Sequence, residues 1–141
     1  MARATFTAGQ VLTAAQVTAL QDSVWSDDVR ADTTTGYTLV LDDSGRQVTM
    51  SNAAASTLTV PPNSSVAFVV GVRVRVIQLG AGAVTLTAGA GVTLSEPANN
   101  LVLGQYHSAV LVKQATNVWI VLRSAYNMDN DQLVLSSQIF G

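Results

Sequence analysis

Residues 72–88 read VRVRVIQLGAGAVTLTA, and this stretch decides the fold class. Side chains alternate across a strand, so Val72, Val74 and Val76 point one way while Arg73 and Arg75 point the other. One face is therefore core, and the other is wet or paired. Gly80-Ala81-Gly82 then interrupts the pattern as a turn, where glycine supplies the positive φ that other residues resist. Residues 83–88 resume the alternation as a second strand, and a second Gly-Ala-Gly turn follows at 89–91. Two such units are too few to bury a continuous core by stacking, so no repeat architecture is read from them.

The same pattern extends outward in both directions. Short strands are expected at 37–41, 46–50, 57–60, 66–79, 83–88, 92–94, 101–103, 105–113 and 118–123, with one more in the tail at 132–140. Asp42, Asp43, Ser44 and Gly45 read as a hairpin connection, and Pro61, Pro62, Asn63 and Ser64 as another turn. Short strands with turns this frequent indicate an all-β fold, an antiparallel β-sandwich or barrel. In VWIVL, residues 118–122, both faces are apolar. Such a strand needs a second cover, from the N-terminal helix, the C-terminal tail or another subunit.

Ahead of the strands lies a short helix. Thr13 and Gln16 form a T-x-x-Q capping box, with Leu12 and Val17 at the positions of a hydrophobic staple. Val17, Leu20 and Val24 follow at the spacing of one apolar stripe. A helix of about a dozen residues is marginal alone in water, so the stripe docks on its own β domain or on the helices of sister chains. Residues 26–36, SDDVRADTTTG, are polar and read as a linker. The expected layout is an arm with helix and linker at 1–35, a β domain at 36–125 and a tail strand at 126–141. Leu12, Val17, Leu20, Val24 and Trp119 are the candidate oligomer or partner interface.

Composition narrows the function. Only 11% of the 141 residues are charged and 48% are hydrophobic, against about 25% charged in ordinary domains. Permanent subunit interfaces exclude charge from their centres, so an oligomer is expected. The net charge of −2 and seven scattered Lys and Arg argue against a nucleic-acid surface. Two windows, 47–72 and 76–95, carry no charge. Pro61 and Pro62 in the first, and glycine and alternation in the second, suit strands rather than a membrane helix. The N-terminus lacks the apolar run of a secretory signal, so a soluble protein made in the cytoplasm is expected. Cysteine is absent and histidine single, which leaves no disulfide and no Cys/His metal site.

Catalytic constellations are hard to assemble from this inventory. His107 falls on the same strand side as Ala109, Leu111 and Lys113, with no nucleophile-elbow pattern to serve as its partner. The carboxylate pairs Asp27/Asp28, Asp42/Asp43 and Asp129/Asp131 lie in linker or turns, where Asp bonds nearby amides. Asp129-Asn130-Asp131 lacks the glycine and distal glutamate of a calcium loop. The stretch GAGAVTLTAGAG opens no helix and supplies no phosphate nest. Tyr37, Tyr106, Tyr126, Trp25 and Trp119 could form a sugar platform only by converging in space, and Trp119 and Tyr106 are read as core or interface residues. No cofactor and no catalytic residue is expected.

Two segments resemble proteins of tailed bacteriophages. The opening FTAGQVLTAAQV, residues 6–17, is similar to the start of many phage minor tail and fibre proteins, although Thr18 stands where that family often has Asn. VPPNSSVAFVVG, VIQLGAGAVTL, GVTL, QYHSAVLVK and NVWIV together look like a β module of phage fibre and head-surface proteins. The resemblance implies a non-enzymatic virion component, assembled in the bacterial host cytoplasm and commonly trimeric. The small size of the chain favours a capsid decoration protein bound to the major capsid protein. A minor tail or head-fibre protein binding a host receptor or glycan is the alternative.

Overall fold

The computed structural model describes residues 7–25 and 28–123, the side chains of 20–25 excepted. Helix α1, Ala14–Trp25, opens with the reciprocal cap expected of Thr13 and Gln16. The Gln16 amide donates to Thr13 Oγ1 at 3.3 Å, and the Thr13 amide donates to Gln16 Oε1 at 2.9 Å.

Ten strands follow among the described residues: β1 Val29–Asp32, β2 Gly36–Thr38, β3 Gln47–Met50, β4 Ser56–Val60, β5 Arg73–Gln78, β6 Val84–Ala88, β7 Thr93–Ser95, β8 Val102–Leu103, β9 Ser108–Ala115 and β10 Val118–Arg123. They form a six-stranded sheet, β1-β3-β5-β9-β10-β7, and a four-stranded sheet, β2-β4-β6-β8. The fold is all-β, as expected, but it is neither a sandwich of hairpins nor a barrel. From β1 to β6 the chain changes sheet at every connection, and β1, β3 and β5 pair parallel, as do β2, β4 and β6. The chain therefore winds as a β-solenoid-like coil. The 42–45 turn, expected as a hairpin, instead carries the chain from one sheet to the other through a 3-10 turn at Leu41–Asp43.

Unequal coil lengths concealed the repeat. Val29 pairs with Gln47, eighteen positions on, and Gln47 with Arg75, twenty-eight on. The longer second coil contains the 61–72 loop, so the strand expected at 66–79 begins only at Arg73. Among the described residues, antiparallel pairing occurs only where β8, β9 or β10 takes part. The β9–β10 hairpin inserts between β5 and β7, and β8 runs against β6.

The stacked turns explain Gly80 and Gly82. Neither Gly80 nor Gly82 has positive φ. A Cβ on Gly80 would overlap the backbone of Asn52, and one on Gly82 the backbone of Ala54, in the turn of the coil below. Glycine is required by close approach, not by a left-handed backbone. Asn52 ties the turns into a column: its Nδ2 donates to the Thr33 carbonyl at 2.7 Å, and its own carbonyl accepts the Gly82 amide at 3.0 Å.

The core lies between the sheets. Val48, Val76 and Ala109 form one inward row, Val74, Leu111 and Val121 another, and Leu58 meets Leu86 in the facing sheet. All are at most 1% exposed, and each aliphatic side chain larger than alanine contributes roughly 1.5–3 kcal/mol by burial. Trp119, a candidate interface residue that the sequence also reads as core or interface, is 1% exposed inside its own chain and belongs to the core. Phe68 of the 61–72 loop meets it edge-on at 5.4 Å.

Residues 29–32, read as linker, are the first strand of the larger sheet. The β body therefore begins before the expected boundary at 36. The expected tail strand, 132–140, lies outside the described residues.

Candidate functional site

Among the described residues, a group of ionisable side chains gathers where the first coil turns from β2 to β3. Asp43, fully buried, accepts the Tyr37 hydroxyl at 2.9 Å and the Val40 amide at 2.8 Å. Arg30 Nε lies 2.7 Å from its other oxygen. Asp42 bridges Arg30 and Arg46 at 3.2 and 3.1 Å, and Arg46 reaches Asp28 at 3.1 Å. The Asp43 carboxylate holds the Arg30 guanidinium above its usual range. Burial, followed by the hydrogen bond to Asp43, pushes the Tyr37 phenol up. Each carboxylate in this group has a cation beside it, so the group is a clasp fastening β1 to the first turn, not an acid–base pair poised to exchange protons.

Lys113 is the second unusual group. Strand alternation places it inward with Ala109 and Leu111, and it is 2% exposed. Its ammonium donates to Asn63 Oδ1 at 2.5 Å and to the Phe68 carbonyl at 2.7 Å, and stands 5.9 Å from the Trp119 ring centre. A buried ammonium needs such compensation. Asn63 and Phe68 belong to the 61–72 loop while Lys113 and Trp119 belong to β9 and β10, so the lysine ties the loop to the sheet over Trp119.

The expected chemical candidates do not converge. His107 is half-buried, its amide donating to the Gly104 carbonyl and its carbonyl accepting the Gln78 amide. Asp28, Asp42 and Asp43 belong to the clasp, while Asp27, Asp129 and Asp131 lie outside the described residues. Among the described residues, no three His, Asp or Glu side chains gather as a metal site, and no helix is long and apolar enough to cross a membrane.

Two surfaces remain. At the N-terminus, Leu12 and Val17 are 43% and 39% exposed. Leu20 and Val24 lie on the same helix, with side chains outside the described set. On the body, the outward side of the larger sheet carries Val110 and Val112 on β9 and Val118, Ile120 and Leu122 on β10. Arg73 and Arg75 stand on one flank, and on the other is a hollow of about 480 Å³ lined by Leu94, Ser95, Glu96, Pro97, Asn99 and Ile120. The second apolar face of VWIVL signalled this surface in the sequence. The exposed residues on it are Val118 and Leu122, not Trp119.

Tyr106, read as core or interface, is 75% exposed, at a turn where it adopts φ 64°. It therefore stands free of the core. No family model, curated protein or solved structure matches this chain.

Proposed function

We propose that the chain is a non-enzymatic structural protein of a tailed-phage virion, a capsid decoration protein that attaches to the major capsid protein through its N-terminal arm and assembles as a homo-oligomer. The observation that carries this reading is the arm: a capped helix on which Val17, and just ahead of which Leu12, remain exposed. Such an element is suited to pack on a partner, since a lone short helix gains its stability by burying its stripe. The resemblance of residues 6–17 to phage virion proteins points the same way. The body adds a sheet face with exposed apolar residues and charges committed mainly to holding the fold. Of the copy number, the resemblance implies three.

Quantitative mass spectrometry of purified virions tests the reading. A molar ratio approaching that of the major capsid protein is the expected result. Absence from the particle would overturn the proposal, and a ratio far lower would move the chain to a tail or fibre.

That second reading, a minor tail or head-fibre protein binding a host glycan, is favoured by Tyr106. A non-glycine residue held with positive φ and presenting an exposed ring is the kind of feature found at binding sites. Glycan-array binding abolished by Tyr106→Ala would support it.

A further inference from the structure

Lys113 and Asn63 stand together as an amine and an acyl group. The amine is buried, 2.5 Å from Asn63 Oδ1, and its second hydrogen bond runs to the Phe68 carbonyl at 2.7 Å. Both residues are anchored: β9 carries the lysine, and the Asn63 amide donates to Asn117 Oδ1 at 2.7 Å. Trp119, met edge-on by Phe68, lies beside the amine and helps keep water from it.

Two details set the pair apart from an ordinary hydrogen bond. Among the described residues no carboxylate lies against the Lys113 amine, so a positive charge is buried among neutral partners. That arrangement is costly, and converting the amine to an amide removes the charge while leaving one N–H for the Phe68 carbonyl. Among the same residues no hydrogen bond restrains Asn63 Nδ2, and Asn63 is only half-buried, so the group that would leave is untied and near solvent.

We propose that Lys113 and Asn63 join in an intramolecular isopeptide bond, which locks the 61–72 loop covalently to β9. Nζ first releases a proton, and the free amine attacks Asn63 Cγ. The new C–N bond forms as the carbonyl π electrons move onto Oδ1. Their return expels Nδ2, which takes a proton from Nζ and leaves as ammonia. The proton released at the start converts that ammonia to ammonium, so one ammonium is consumed and one produced, and the balance needs no oxidant or other reagent. Among the described residues no acidic side chain adjoins the pair to relay these protons, so the rate rests on proximity, for which effective molarities reach roughly 10⁵–10⁸ M. The bond is therefore a slow maturation of the folded chain, and until it forms the pair is the hydrogen-bonded tie described above. Because it lies within one chain, it is independent of the virion reading.

The intact mass of the wild-type chain under denaturing conditions tests this, since loss of ammonia lowers it by about 17 Da. The folded protein is measured when fresh and after several days at mildly alkaline pH, beside a sample kept in urea. The expected result is a growing fraction of lighter chain in the folded sample only. Tryptic mapping then assigns it: cleavage after Lys113 should fail, and residues 47–73 should be found joined to residues 76–123 as one branched species. Asn63→Ala and Lys113→Met should each keep the full mass of their sequences, and the wild type decides the matter even where these variants do not fold. A succinimide at Asn63 loses the same mass but leaves residues 47–73 unbranched and Lys113 cleavable. That outcome would overturn the proposal, as would a folded chain that keeps its full mass or one that loses ammonia equally in urea.

Discussion

Lys113 Nζ donates to Asn63 Oδ1 at 2.5 Å across fifty residues of sequence, and this bond joins the long loop of the second coil to the β9–β10 hairpin. The backbone reinforces the junction: Gly71 donates to the Lys113 carbonyl at 2.8 Å, and the Asn63 amide donates to Asn117 Oδ1 at 2.7 Å. The loop is thus a fixed lid over Trp119 rather than a loose insertion.

Lys113→Met keeps most of the side-chain volume but leaves Asn63 Oδ1 and the Phe68 carbonyl without their donor. Buried acceptors stripped of a partner cost about 1–3 kcal/mol. We expect Lys113→Met to lose roughly 2 kcal/mol in urea denaturation. An unchanged midpoint would show that the ammonium does not hold the loop.

The stacked turns make a sharper prediction. Gly82→Ala puts a methyl group into the backbone of Ala54, whereas Gly36→Ala meets nothing within 4 Å and has no positive φ to oppose it. Overpacking of this kind costs typically about 1–3 kcal/mol, and backbone cannot move aside as a side chain can. Gly82→Ala should lower the melting temperature by many degrees, while Gly36→Ala stays within about 0.5 kcal/mol of the wild type. Equal melting temperatures would mean that the coils are not stacked this closely.

The strand alternation of 72–76 and the helix cap at Thr13 were legible because both depend on neighbours within a few residues. Val74 and Val76 are buried and Arg73 and Arg75 exposed, as the alternation requires. Solenoid winding was not legible, because a turn that folds back within a sheet and one that crosses to the opposite sheet use the same residues. What selects the crossing is the contact of Asn52 with Thr33 below and Gly82 above, nineteen and thirty positions away. Residues 29–32 read as linker because their polarity is compensated only when Arg30 finds Asp43. The outward sheet face was half legible: VWIVL announced two apolar faces, but which of them Trp119 occupied depended on Phe68, fifty-one residues earlier.

The phenol of Tyr37 gives the fold an alkaline sensitivity. An unfolded tyrosine ionises near pH 10, while in the fold burial and the bond to Asp43 hold the proton to higher pH. Because the folded pKa is raised, the stabilisation is fully present below about pH 10 and is lost as pH rises toward the folded value. The slope is at most about 1.4 kcal/mol per pH unit, and smaller here because half-exposure admits screening by water. Thermal melts from pH 8 to 11.5 should fall less steeply above pH 10 in Tyr37→Phe than in the wild type. Parallel alkaline limbs would remove Tyr37 as the cause.

Two truncations separate the arm from the body. Removing residues 1–27 takes away α1 but keeps Asp28, whose carbonyl accepts the Gln47 amide at 3.1 Å and whose carboxylate meets Arg46. Removing residues 1–35 also deletes β1, strips Arg30 from Asp43 and uncovers the edge of β3. Loss of a partner from a fully buried carboxylate is strongly destabilising, by about 3–5 kcal/mol where no other group compensates, and the Tyr37 and Val40 donors that remain reduce this. The shorter truncation should therefore melt close to the wild type yet fail to co-sediment with particles lacking the protein. The longer one should melt well below it. Full particle binding by the chain without residues 1–27 would exclude the arm as the attachment element, and equal melting of the two truncations would place β1 outside the cooperative fold.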